Sequence, residues 1–128
     1  MSQYLAIWKD GVQMAEWSRN SEIYTVMRGG ANWGEESEFN PDEVFSEARR
    51  LMDEKVRLAE KEKKSYLEAL SVAKLDYEAF SEAPYELRNF DDEIELYKRQ
   101  LAWIDFLIRC AELDEYSDRR AKWTWMYV

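Results

Sequence analysis

Residues 40–84, NPDEVFSEARRLMDEKVRLAEKEKKSYLEALSVAKLDYEAFSEAP, decide how this chain is read. Asn40 is a helix-capping residue, and Pro41 suits a first turn, where its missing N–H would be unpaired anyway. Glu43 stands where a capping box places an acid. From Asp42 to Ala83 there is neither glycine nor proline, room for roughly 60 Å of helix. Phe45, Met52, Ala59, Tyr66, Ala73 and Phe80 recur every seven residues. Val44, Leu51, Leu58, Val72 and Ala79 make a neighbouring row, interrupted at Ser65. Two adjacent rows form the apolar stripe of a packed helix. The polar run EKEKKS, Glu60 to Ser65, reads as a solvated waist.

Downstream, Pro84 to Phe90 reads as a connector and residues 90–116 as a second helix. Asn89 or Asp91 can cap it, and Asp92, Glu93 and Glu95 suit its positive end. Ile94, Tyr97, Leu101, Ile104, Ile108 and Ala111 follow a coiled-coil-like spacing, widened by Phe106 and Leu107. A short connector makes the two helices antiparallel neighbours. The first is predicted to be the longer, so its N-terminal half, with Val44, Phe45, Leu51, Met52 and Leu58, overhangs. That row must pack on a sheet or on another subunit, and a homo-oligomer is expected.

Upstream, all four glycines fall within residues 1–34. Tyr4 to Trp8 reads as a strand. Asp10-Gly11 is a hairpin signal, and Val12 to Trp17 is the return strand. After a turn at Ser18 to Ser21, Ile23 to Met27 reads as a third strand because of its β-branched residues. Arg28 to Gly34 is a glycine-bearing loop. At the other end, residues 122–128 alternate as a strand, with Trp123, Trp125 and Tyr127 on one face, and would add to the edge of the sheet. The expectation is one α+β domain over residues 1–128, β-β-β-α-α-β: a small antiparallel sheet with a long helical hairpin over 40–83 and 90–116.

Composition removes whole classes of function. The chain has no histidine and a single cysteine, so the commonest general base, an internal disulfide and a thiolate metal site are all excluded. Cys110 reads as a structural thiol on the seam side of the second helix. The net charge is −9, concentrated after residue 34, which disfavours nucleic acid because phosphate contacts need clustered Lys and Arg. No apolar run is long enough for a membrane span. Paired carboxylates, Asp91/Asp92 and Asp114/Glu115, are accounted for by helix ends. The spacing of the glycine loop is neither that of a P-loop nor that of a dinucleotide fingerprint. The chain is therefore expected to be a non-enzyme without cofactor or metal, acting in the cytoplasm.

The aromatics and arginines are more informative. Five of the six tryptophans lie in the presumptive sheet, its loop or the last strand, where they build core or offer a stacking surface. Arg28 and Trp33 flank Gly29 and Gly30, bringing a cation, backbone donors and a π-face into one loop. Arg57 and Arg109 are candidates to complete an anion site there; Arg109 stands beside the helix seam, where the alternatives are a pair with an acid such as Glu62 or a buried anion. In outline the chain is similar to small phage-encoded counter-defence proteins: short, acidic, single-domain and without catalytic residues. Within that group it resembles the Thoeris anti-defence sponges, oligomeric proteins that trap cyclic nucleotide-like immune signals. The resemblance is one of size and layout and transfers no residue. It implies sequestration of a small anionic, nucleotide-like ligand, in the host cytoplasm if the chain is phage-encoded. The alternative is an acidic inhibitor or adaptor that occupies a basic face of a host protein.

Overall fold

A computed structural model describes residues 3–27, 30–75, 83–114 and 121–128. The elements are β1 (Tyr4–Lys9), β2 (Val12–Ser18), α1 (Glu22–Val26), β3 (Ser37–Glu38), α2 (Pro41–Val72), α3 (Ala83–Asp114) and β4 (Trp123–Tyr127). The fold is α+β: an antiparallel sheet in the order β2-β1-β4-β3 beside a pair of long helices. The β1–β2 hairpin turns at Asp10 (φ 49) and Gly11 (φ 80), the two left-handed positions that an Asp-Gly turn supplies. A bulge between Ile7 and Trp8 leaves Met14 unmatched in β2, and its side chain packs on the core.

The expected third strand is a helix. Ser21 caps it, its hydroxyl oxygen accepting from the Tyr24 amide at 3.3 Å. Ile23, Val26 and Met27 all enter the core. That i, i+3, i+4 spacing overrides the β-branched composition, because it buries three side chains on one helical face. The sheet instead gains β3, and β4 lies inside the sheet between β1 and β3 rather than at its edge.

The helix lengths differ from the sequence reading. Asn40 caps α2 as expected, accepting from the amides of Asp42 (3.0 Å) and Glu43 (3.5 Å). The helix then ends at Val72 without a glycine. Lys74 takes a left-handed φ of 57, while the Leu75 amide donates to Leu70 O and the Lys74 amide to Ser71 O, a Schellman closure. Pro84 sits in the first turn of α3 rather than in a connector, since the amide it lacks has no partner there. Residues 76–82, including Ala79 and Phe80 of the two rows, lie outside the described residues, as does the expected helix end near Tyr116.

Both helices therefore have 32 residues, and no overhang exists. Arg49–Asp105 (2.6 Å), Lys63–Asp91 (2.5 Å) and Lys98–Glu60 (3.3 Å) tie them antiparallel along their length. The polar waist of α2 supplies two of these ties. Phe45 and Met52 are fully buried and Val44 and Leu51 half-buried against the core, whereas Leu58 is 58% exposed. The N-terminal half of α2 is covered by both α3 and the sheet, so both rows find partners there. Phe45 meets Trp123 edge-on at 5.3 Å and Phe39 at 5.7 Å. On α3, Ile104, Leu107 and Ala111 are buried as the seam requires, while Phe106 is half exposed and points away. Cys110 is only partly buried at the core margin.

Candidate functional site

Of the residues singled out for an anion site, Arg28 and Gly29 lie outside the described residues. Gly30 packs over Trp125: a Cβ there would stand 2.9 Å from Trp125 Cζ2. Trp33 follows on a loop pinned to β4, with the Tyr127 amide donating to Asn32 O (3.0 Å) and the Gly34 amide to Tyr127 O (2.9 Å). This pairing stacks Trp33 on Tyr127 at 5.0 Å, with Tyr24 against the same tyrosine at 5.5 Å. Trp33 remains 57% exposed.

Arg57 and Arg109 do not share a site. Arg57 is exposed and pairs with Asp53 one turn back at 3.0 Å. Arg109 is exposed and makes no ion pair with a described residue. The Arg49–Asp105 tie fixes the helix register. Arg57 lies eight residues along α2 from that tie, and Arg109 lies four residues beyond it in the opposite direction. Their axial separation is thus about 18 Å, and Arg109 is further still from the level of Glu62. Arg49, Arg50 and Arg99 are also in surface ion pairs with carboxylates. Asp91 and Asp92 stand inside α3 rather than at its end, and Asp91 takes Lys63. Among the described residues, no group of acids, with or without Cys110, is arranged to hold a metal, and no helix is long and apolar enough to cross a membrane.

The sheet offers a surface that the sequence reading did not identify. Alternation sends Leu5 and Ile7 of β1, Trp17 of β2, and Trp123, Trp125 and Tyr127 of β4 to the helices. The opposite face presents Tyr4, Ala6 and Trp8 of β1 and Thr124 and Met126 of β4, none of which joins the core cluster. Ala6 and Thr124 are closed off by their larger neighbours, at 2% and 6% exposure. Tyr4, Trp8 and Met126 remain partly open. Glu16 of β2, paired with Ala6, and Glu38 of β3, paired with Thr124, border this face. Glu36 joins them by accepting from the Thr124 hydroxyl at 2.5 Å. At the hairpin end, Asp10, Glu36, Glu38 and Thr124 line a hollow of about 410 Å³ with Gly11 and Lys122. Strand alternation was the available signal: Tyr4 and Trp8 share a parity opposite to that of Leu5 and Ile7.

Tyr97 marks the centre of the helix pair. Its hydroxyl donates to Glu93 at 2.7 Å. Partial burial, then that hydrogen bond and the nearby Glu22 and Glu62, hold the phenol well above its usual pKa. Lys55 meets Glu22 at 2.9 Å, joining α1 to α2 beside it. This is structural electrostatics between the packed helices. Comparison with protein-family models, curated proteins and solved structures gives no match for this chain.

Proposed function

We propose that the protein acts without catalysis, in the cytoplasm, as an acidic binding module that occupies a basic face of another protein. The observation that carries this reading is the outer face of the sheet: Tyr4, Trp8 and Met126 bordered by Glu16, Glu36 and Glu38. Aromatic and methionine side chains supply contact area at an interface core, and a carboxylate rim selects a cationic partner and steers its approach. Anion capture needs convergent cations, and the three arginines of α2 are each held by a carboxylate, Arg49 by Asp105, Arg50 by Glu47 and Arg57 by Asp53.

A second reading, sequestration of a nucleotide-like molecule by a phage-encoded inhibitor of immune signalling, is favoured by one observation. Trp33 is backed by Tyr127 and leaves an open π-face, on which a base would gain about 1–3 kcal/mol. One experiment separates the two. The protein is purified from cells with and without an active nucleotide-signalling defence and weighed by native mass spectrometry. The first reading expects a retained protein partner that Glu36→Lys with Glu38→Lys releases and Trp33→Ala does not. A retained small mass released by Trp33→Ala would overturn it in favour of the second.

A further inference from the structure

A partner can meet a sheet at an edge, by adding a strand, or on a face. Both edges of this sheet resist a strand. β2, at one edge, is bulged: Ala15 is matched to Ile7 and Gln13 to Trp8. The bulge breaks the ladder that an incoming strand would copy, and the charged Glu16 stands beside the break. β3, at the other edge, is two residues long. Short, bulged and charged edges are devices against strand addition. The outer face has no such obstacle. Neighbouring strands stand about 4.8 Å apart, so the acids of β2 and those of β3 lie on two lines about 14 Å apart, three inter-strand spacings. Between the lines, β1 and β4 present Tyr4, Trp8 and Met126, with Ala6 and Thr124 closed off among them.

We propose, resting on the proposed role of this face as the site for a basic protein, that the partner's docking element is an amphipathic α-helix lying along β1 and β4. Its apolar stripe covers Tyr4, Trp8 and Met126, and its lysines or arginines run along both flanks. Width supports a helix: with side chains it is about 10–12 Å across, which fits between the two acidic lines. Backbone chemistry supports it as well. β1 and β4 are each paired on both sides, so the face offers no partner to the main chain of a segment laid on it. A helix satisfies its own N–H and C=O groups, and an extended chain does not. Charge complementarity sets the flanks. One meets Glu16 of β2, and the other meets Glu36 and Glu38. Glu36 and Glu38 are two residues apart on an extended stretch, about 7 Å, close to the rise of about 6 Å between helix positions i and i+4. Two successive cations of one flank therefore find one acid each. Thr124 occupies one carboxylate oxygen of Glu36, which leaves the other for this pair.

Two labelled probe peptides of about 18 residues and identical Leu, Ala and Lys composition test this. One carries its leucines at helical spacing with lysines on both flanks; the other alternates leucine and lysine as a strand does. Fluorescence anisotropy reads binding to the full chain, and circular dichroism reads peptide conformation. The helix-patterned peptide is expected to gain helicity and to bind tighter by about tenfold or more. Glu16→Lys with Glu38→Lys should weaken it by about tenfold or more. Glu68→Lys with Glu112→Lys makes the same charge change at exposed positions of α2 and α3 and should weaken it by less than about threefold. Both pairs leave the core untouched. Binding of the strand-patterned peptide within about tenfold of the other, lost with Glu16→Lys and Glu38→Lys, overturns the helix while leaving the face a site for a basic partner. Binding of neither peptide, or binding that the first pair weakens no more than the second, removes the face as a site and the inference with it.

Discussion

Phe45→Ala paired with Leu58→Ala tests where the apolar rows of α2 go. Phe45 is fully buried, edge-on to Trp123 at 5.3 Å and Phe39 at 5.7 Å. Removing its ring forfeits the transfer energy and leaves a cavity that the sheet and helices cannot both close. The expected loss is about 3–5 kcal/mol. Leu58 belongs to the neighbouring row but is 58% exposed, and alanine matches leucine as a helix former. Its loss should stay within about 0.5 kcal/mol. Urea unfolding followed by far-UV circular dichroism reads the difference. With a slope of about 2 kcal/mol/M, Phe45→Ala moves the midpoint down by about 2 M and Leu58→Ala scarcely moves it. Both belong at one protein concentration, because association shifts apparent stability. Equal losses for the two variants, or less than about 1 kcal/mol for Phe45→Ala, would refute the sandwiching of α2 between sheet and α3.

Three further outcomes follow from local geometry. Lys74→Gly should stabilise the fold by about 1 kcal/mol, because Lys74 closes α2 in a left-handed conformation; thermal unfolding checks this. Gly30→Ala should cost about 1–3 kcal/mol, since its Cβ would meet Trp125, whose indole is held by stacking on Phe39 at 4.4 Å; urea midpoints and the near-UV tryptophan signal report it. Tyr97, with its folded-state pKa raised, supplies stability that is complete below about pH 10 and is lost as pH rises from there towards the folded pKa. Tyr97→Phe should therefore flatten the alkaline decline of the urea midpoint, and an unchanged decline would contradict the assignment.

The hairpin of helices was legible because burial on one side imposes a period that seven-residue rows display directly. The Asn40-Pro41 start and the Asp10-Gly11 turn were legible because each needs a backbone conformation that few residue types favour. The end of α2 was hidden because Lys74 adopts a left-handed φ where glycine would have advertised the stop. Pro84 misled because proline breaks a helix interior and begins a helix equally well. At Glu22–Val26, composition argued for strand while three core positions argued for helix, and five residues are too few for periodicity to declare itself. The two residues of β3 carry no period at all; they pair with β4 because the chain between α1 and α2 must cross that edge. The candidate site was less legible than the fold. Trp33 was identifiable as an aromatic in a glycine-bearing loop, but its stack on Tyr127 depends on pairing across most of the chain. The arginines were individually visible, and only the helix register separates Arg57 from Arg109.

The same register ranks the apolar rows of the two helices. Apolar spacing alone cannot rank the rows, because α2 and α3 each carry two. Burial ranks them: the N-terminal half of α2 has neighbours on two sides, while the outer side of α3 has none among the described residues. Charge then distinguishes the open surfaces. Two chains of net charge −9 repel at long range, so a second copy is best met where the surface is least acidic. From Glu95 to Leu113, Arg99 and Arg109 stand against Glu95 and the exposed Glu112, while Asp105 and Lys98 are turned to α2. The open face of the sheet is the reverse case. Glu16, Glu36 and Glu38 would confront their own copies there, and like charges brought together across an interface cost several kcal/mol. Self-pairing is thus opposed on the sheet, which agrees with the proposal that this face meets a basic partner.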